Sequence, residues 1–392
     1  MRSNLPRLAY VGDVDVGDFG NGPKLLKCLF EDYPPENLRL LVSDFWDWPA
    51  GERLHDVVAN TFPLRWRRLR LGRLYELMST HCLLSSEYVA SRLAPLLTAF
   101  RVQSIVTVTA GPSWLTAAYI ARRLNVPLHL ILHDHLPTQC AVHPLFAKWM
   151  QRRFGEVYRQ ARSRLCVSPS MEELYSRDFG VSGTVLYPSR SVRDPTAKVA
   201  DTSAREQEPF TVLYAGTLAP KPYVEMLGQL AVVLEQLGGR LVIYSFTIKD
   251  RQHLGSLRRA NVELRDSVSS TDLKRRLPAE ADVLFVPMSF AREDEVNMRI
   301  SFPSKLADYT STGLPLFIWG PAYCSAVRWS KEFPGAAAVV DSTDGLMLMT
   351  TVRRLMVESR WRRSLAEGAV AAGEHCFSHA AASRVFYDAL CR

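Results

Sequence analysis

The chain has 392 residues, 47% of them hydrophobic and 22% charged, with 21 Gly and 23 Pro, which excludes disordered, collagen-like and low-complexity classes. At about 100–200 residues per domain this length favours two domains, each able to bury its own core. The formal net charge is +8, but residues 51–170 alone hold 16 Lys and Arg against 6 Asp and Glu, so the basic character is concentrated in the first half.

The chain begins with MRSNLPRLAYVGDVDVGDFG, where Asp13, Asp15 and Asp18 stand in place of the apolar region a signal peptide needs. With no uninterrupted apolar run of about 18 residues anywhere, the sequence predicts a soluble or peripheral protein, cytoplasmic or on the inner face of the plasma membrane. The seven cysteines are scattered and never spaced as CxxC, so neither a disulfide framework nor a zinc site is expected, and a reducing compartment fits.

A strand over residues 7–11 runs into the turn VGDVDVGDFGNGPK, in which Gly17, Gly20 and Gly22 precede a helix over 23–30. Glycines let backbone approach a ligand, and the free amides of a helix start attract anions; an unliganded turn has the same composition. A strand over 38–42 follows. The run PLRWRRLRLGRLY over 63–75 then interleaves Arg65, Arg67, Arg68 and Arg70 with Trp66 and leucines. That mixture suits an anionic membrane surface, with nucleic acid and a solvated helix face as the other readings. Strands over 104–108, 128–132 and 164–167 alternate with helices over 114–124 and 171–179, which implies a parallel sheet covered on both faces. The apolar strand 128–132 ends in His133, Asp134 and His135; without a third ligand cluster, a hydrogen-bonding or proton-shuttling His133 is preferred to a metal site, with a buried structural His as the other reading.

Residues 189–209 are polar and aperiodic and read as a linker. The alternation then restarts, with strands over 210–215, 240–244, 262–264, 283–286 and 316–319 and helices over 224–237, 271–277, 304–311 and 344–357. The segment FPSKLADYTSTGLP places Pro303 in a helix's first turn, Ser304 and Lys305 where a phosphate is favoured, Asp308 a turn later for ribose hydroxyls, and Gly313 as the C-cap. Residues 364–390 read as helix, broken near 373–378. The fold class is therefore α/β, two doubly wound Rossmann-like domains facing across a cleft. The expected division is 1–190 for the acceptor, a linker over 191–209, 210–375 for the donor, and a C-terminal helix over 376–392 returning to the first domain.

With these segments assembled, the chain resembles glycosyltransferases of the GT-B fold, most closely the retaining family four. FPSKLADYTSTGLPLFIWG over 302–320 is similar to the family's PSKLxEYxAxGxPV donor segment, LYAGTLAPK over 213–221 to its GRLxxxKG loop, and LCVSPSMEELYSRDFGVSGTVLYPS over 165–189 to the segment closing its first domain. The resemblance implies a hexosyltransferase that takes a nucleotide-diphosphate sugar and transfers it with retention to a sugar, lipid-linked or small-molecule acceptor, without metal or other cofactor. It implies catalytic roles for His133, Lys221 and Asp308, and donor contacts from Gly20, Gly22, Gly216, Thr217, Ser304 and Lys305. Ile300 stands where the family has the first Glu of its E-x7-E motif, so the sugar contact is expected from Glu293, Glu295 or Asn297. The alternatives are a catalytically degenerate GT-B scaffold at a membrane and a nucleotide-sugar epimerase.

Overall fold

The computed structural model describes residues 5–17, 21–46, 54, 56–64, 73–136, 140–194, 198–200, 205, 208–246 and 252–391. The chain divides into two compact units: the first comprises Met1–Val192, Ile300–Phe302 and His379–Arg392, the second Arg193–Arg299 and Pro303–Ser378.

The first unit is built on a seven-stranded sheet of order β3-β2-β1-β4-β5-β6-β7. Its strands are β1 (Leu8–Gly12), β2 (Leu38–Ser43), β3 (Val58–Phe62), β4 (Ser104–Val108), β5 (Leu128–Leu132), β6 (Ser163–Cys166) and β7 (Thr184–Val185), and every pairing is parallel. β1, β4 and β5 are buried at every position, because helices cover both faces and unbroken apolar runs are what such strands require. The helices are α1 (Asn21–Phe30), α2 (Arg73–Leu84), α3 (Ser86–Phe100), α4 (Ser113–Leu124), α5 (Ala147–Gln160) and α6 (Pro169–Phe179). α6 shows how local chemistry sets the bounds: Ser168 accepts a hydrogen bond from Met171 N, Pro169 occupies the first helical position, and Gly180 ends the helix at φ 70°.

The second unit carries a six-stranded parallel sheet of order β10-β9-β8-β11-β12-β13. Its strands are β8 (Thr211–Ala215), β9 (Arg240–Ser245), β10 (Val262–Asp266), β11 (Val283–Pro287), β12 (Leu316–Trp319) and β13 (Ala338–Val340). The helices are α7 (Lys221–Gln236), α8 (Ser270–Glu280), α9 (Glu295–Ile300, whose last residue belongs to the first unit), α10 (Lys305–Tyr309), α11 (Ser325–Glu332), α12 (Gly345–Val357) and α13 (Ser359–Phe377). The last helix, α14 (His379–Cys391), is part of the first unit, where Phe386 meets Phe30 at 5.8 Å between ring centroids and Tyr387 meets Tyr33 at 5.9 Å. In each sheet chain order reverses beside the first strand of its unit, β1 between β2 and β4, β8 between β9 and β11. Such switch points open a crevice at the carboxyl ends of the strands, where ligands of this fold class bind.

Doubly wound α/β architecture is thus as the sequence predicts, but several local expectations change. The helix of the PSK segment is short: Ser304 is its N-cap, Thr310 its C-cap, and Pro303 lies outside it. Gly313 is not the C-cap; its φ of 75° serves a close approach, since an added Cβ would lie 1.9 Å from the Lys198 carbonyl oxygen, and Ala200 N donates to Gly313 O at 2.9 Å. The C-terminal break falls at Ser378 alone, with Gly373 buried inside α13. Within 191–209, Arg205 is 5% exposed and bonds to Ala279 O, Thr211 Oγ1 and Asp282 Oδ2, so that part of the polar stretch is packed into the second unit.

Candidate functional site

At the carboxyl edge of the second sheet, β8 ends in Ala215 and the chain turns through Gly216 and Thr217 toward α7. Lys305, the first residue of α10, lays its ammonium 4.0 Å from the centroid of the Tyr214 ring. An added Cβ on Gly216 would lie 2.8 Å from Lys305 Nζ and 2.5 Å from Tyr214 Oη, so a side chain here would displace the lysine tip or the ring. Tyr309 completes the wall, receiving Ala215 N on its hydroxyl at 2.7 Å. Burial alone pushes the Lys305 amine down to about 7, and no carboxylate among the described residues pairs with it. A half-buried lysine on an aromatic face, with no carboxylate partner among the described residues, is a place where a bound anion would favour the ammonium.

The other expected residues of this unit are placed less uniformly. Asp308 lies one turn along from Lys305, with Lys274 Nζ of α8 3.8 Å from its Oδ1 and 2.5 Å from Asp194 Oδ2. Lys221 opens α7 with its side chain 83% exposed, paired to Glu225 at 3.4 Å. Thr217 is exposed and receives Ala219 N on its hydroxyl. Ser304 makes no side-chain capping bond. Glu293 and Glu295 are exposed, and Glu295 is held by Arg299 at 2.9 Å, whereas Asn297 is half-buried. Ile300 is 1% exposed, and its carbonyl accepts the Ser168 hydroxyl at 2.5 Å.

In the first unit His133 follows β5 and lines a small pocket with Leu25, Leu26 and Leu29 of α1 and residues 186–189. Burial pushes its imidazole down to about 4, so at neutral pH it is an uncharged ring that offers one N–H and one acceptor. Burial also holds Asp134 above the usual carboxylate range and His135 below the usual imidazole range. Gly22 sits in α1, where an added Cβ would meet Val14 at 3.1 Å. Gly20 and, in the basic segment, Arg65, Trp66, Arg67, Arg68 and Arg70 lie outside the described residues. Among the described residues there is no cluster of three or more His, Cys, Asp or Glu able to hold a metal ion, and no helix is long and apolar enough to cross a membrane.

Sequence reasoning missed Asp13, which follows β1 at the switch point and is wholly buried. Its Oδ2 accepts Ser113 N at 2.7 Å, its Oδ1 accepts the Ser113 hydroxyl at 2.6 Å, and the Ser43 hydroxyl also donates to Oδ1. Burial outweighs these bonds and pushes the carboxyl up to about 6. An acid directly after a buried strand was the available signal.

No family model and no curated protein matches the chain in sequence. In structure it is similar to HepE (Alr3699) of Anabaena in complex with UDP and glucose, at 13% identity and a TM-score of 0.70, covering 98% of this chain and 99% of that one. It is similar to a UDP-forming α,α-trehalose-phosphate synthase of Burkholderia xenovorans, at 14% identity and a TM-score of 0.71 over 99% of each chain. A third likeness is to the lipopolysaccharide outer core galactosyltransferase WaaB in its apo form, at 15% identity and a TM-score of 0.65, covering 98% of this chain and 99% of that one. The likenesses span essentially the whole length and give the chain the GT-B fold.

Proposed function

We propose that this chain is a glycosyltransferase that moves a hexosyl group from a UDP-sugar to an acceptor hydroxyl, with retention of configuration. The observation that carries the reading is Lys305: a half-buried lysine with no acidic partner among the described residues, seated on Tyr214 beside a glycine, at the switch point of the second sheet. Breaking the bond between sugar and diphosphate leaves negative charge on the departing oxygens, so a cation prearranged for that charge lowers the barrier most. UDP is the diphosphate of choice because the Anabaena structures hold UDP, UDP with glucose, and UDP-glucose.

The roles then divide by unit. The second unit takes the donor, with Lys305 against the diphosphate, Gly216 allowing its close approach, Asp308 toward the ribose and Asn297 toward the sugar. Lys221 supplies a second, mobile cation by releasing Glu225. The first unit takes the acceptor, and neutral His133 donates a hydrogen bond to a sugar hydroxyl. With retention, the acceptor oxygen bonds to the anomeric carbon on the face that the diphosphate leaves, and the hydroxyl proton passes to the departing phosphate oxygen. For the acceptor, the +10 net charge of residues 51–170 supports a lipid-linked or glycolipid substrate reached by peripheral docking on an anionic membrane.

The test is turnover of UDP-glucose and UDP-galactose by the full chain, beside Lys305→Met. UDP release by the wild type and its loss in the variant support the reading. UDP-sugar binding without turnover points to a degenerate scaffold, and C4 epimerisation without UDP release points to an epimerase.

A further inference from the structure

The buried carboxylate of Asp13 joins three turns at the carboxyl edge of the first sheet. It follows β1, takes the hydroxyl of Ser43 at the end of β2, and caps the start of α4 from 100 residues away through Ser113 N and Oγ. Gly111, at φ 68°, leaves the space that the carboxylate fills, since an added Cβ there would lie 2.5 Å from Asp13 Oδ2. A carboxylate only accepts, so both serine hydroxyls must donate inward. Ser43 Oγ then presents a lone pair to Phe45 N, which donates to it at 3.2 Å. The proton order runs from Phe45 N through Ser43 into Asp13, and it ties the turn after β2 to the turn before α4.

Stability does not explain the acid. An asparagine could accept Ser113 N through its oxygen and donate to the two serine oxygens through its amide, which keeps a hydrogen bond at each contact once the serine hydroxyls turn their protons elsewhere. Burial raises the carboxyl to about 6, which makes the charged form a net cost to the folded state at neutral pH. Among the described residues, the titratable groups that feel its charge include Tyr10 of β1, Tyr75 and Cys82 of α2 and Cys140, all pushed up by burial and therefore uncharged at neutral pH, with Asp15 on the same turn. A costly, desolvated acid at a switch-point crevice is the arrangement expected of a functional site.

We propose that Asp13 is a positioning residue for glycosyl transfer, which as a carboxylate fixes the hydrogen-bond direction through Ser43 and Ser113 and so sets the two turns that border the acceptor crevice. This rests on the reading of the first unit as the acceptor side. Protonation makes Asp13 a donor, reverses one serine and loosens that order.

The experiment compares the full-length wild type with Asp13→Asn. First, thermal midpoints are followed from about pH 7 to about pH 5, where the variant is expected to equal or exceed the wild type at the upper end and to lose its advantage as the wild-type carboxyl takes up its proton. Second, UDP affinity is expected to be unchanged, while UDP-glucose turnover on anionic vesicles carrying a crude lipid-linked sugar fraction falls about 10- to 100-fold at neutral pH, as for other lost positioning contacts. The acid limb of the wild-type profile near Asp13's titration also disappears. A variant with wild-type turnover and pH profile overturns the proposal, and so does one less stable than the wild type at neutral pH. If the wild type neither binds UDP nor consumes UDP-glucose, the glycosyltransferase reading fails and the stability comparison still decides the Asp13 network: an advantage that does not close on acidification overturns it.

Discussion

Because burial holds the Lys305 amine near 7 in the free protein, binding of a diphosphate must bring a proton with it. The neutral amine predominates about ten to one near pH 8, and an adjacent phosphate dianion favours the ammonium, so UDP binding is expected to take up about 0.9 proton there. The proton has to be supplied from bulk, so UDP affinity should fall about tenfold per pH unit between about pH 7 and about pH 9. Lys305→Met keeps the stem on the Tyr214 ring and removes the titration, so its UDP affinity is expected to be weaker and flat over the same range. Loss of a charge-assisted contact costs about 1.5 to 3 kcal/mol, roughly ten- to a hundredfold in affinity. Calorimetry in buffers of different ionisation enthalpy measures the proton count directly. Wild-type binding with no proton uptake and no pH dependence above 7 would refute the assignment of Lys305 to the diphosphate. The stability of the free protein supplies a check of sign: an amine depressed in the fold should make the wild type gain stability as pH rises from about 7 toward 10.5, and Lys305→Met should lack that gain.

His133→Ala is expected to lower turnover more than it raises the donor Michaelis constant, because a neutral imidazole beside the sugar matters most as the bond breaks; steady-state kinetics separate the two, and a pure binding loss would make it a ground-state contact. Gly313→Ala should destabilise the second unit by about 2 to 4 kcal/mol in urea unfolding, since the new methyl meets the Lys198 carbonyl at a positive φ, and a neutral outcome would contradict that packing. Reversal of Arg65, Arg67, Arg68 and Arg70 to Glu is expected to abolish co-sedimentation with vesicles of phosphatidylserine and phosphatidylcholine, each cation being worth about 1 kcal/mol near such a surface. Equal recovery with pure phosphatidylcholine vesicles would favour a soluble acceptor.

The sheets were legible because buried parallel strands have to be written as continuous apolar runs, and SIVTV and LHLIL fall on their strands residue for residue. β3 was not, because VANTF lies at the sheet edge with four of its five residues exposed, and nothing in its pattern marks a core face. The Lys305 segment could be read since its proline, serine, lysine and glycine are neighbours in sequence. What gives the lysine its character, Tyr214 and Gly216, lies about 90 residues earlier and enters only through the fold. Asp308 shows the same limit from the other side: its closeness to Lys274 depends on how α8 is set beside α10. Asp13 passed as one of three acids in a polar turn, its partners being 30 and 100 residues away. Charge density could be counted in the sequence for the basic segment, but its core falls outside the described residues.

Transfer from a UDP-sugar is tested by the release of UDP from UDP-glucose and UDP-galactose by the full chain, with and without anionic vesicles carrying a crude lipid-linked sugar fraction. UDP release is expected with one of the two donors, with sugar recovered on an acceptor in the donor's anomeric configuration, and both are expected to be lost in Lys305→Met. A chain that leaves both donors intact, and whose thermal midpoint does not move at UDP concentrations of about 1 mM, would contradict UDP-sugar transfer.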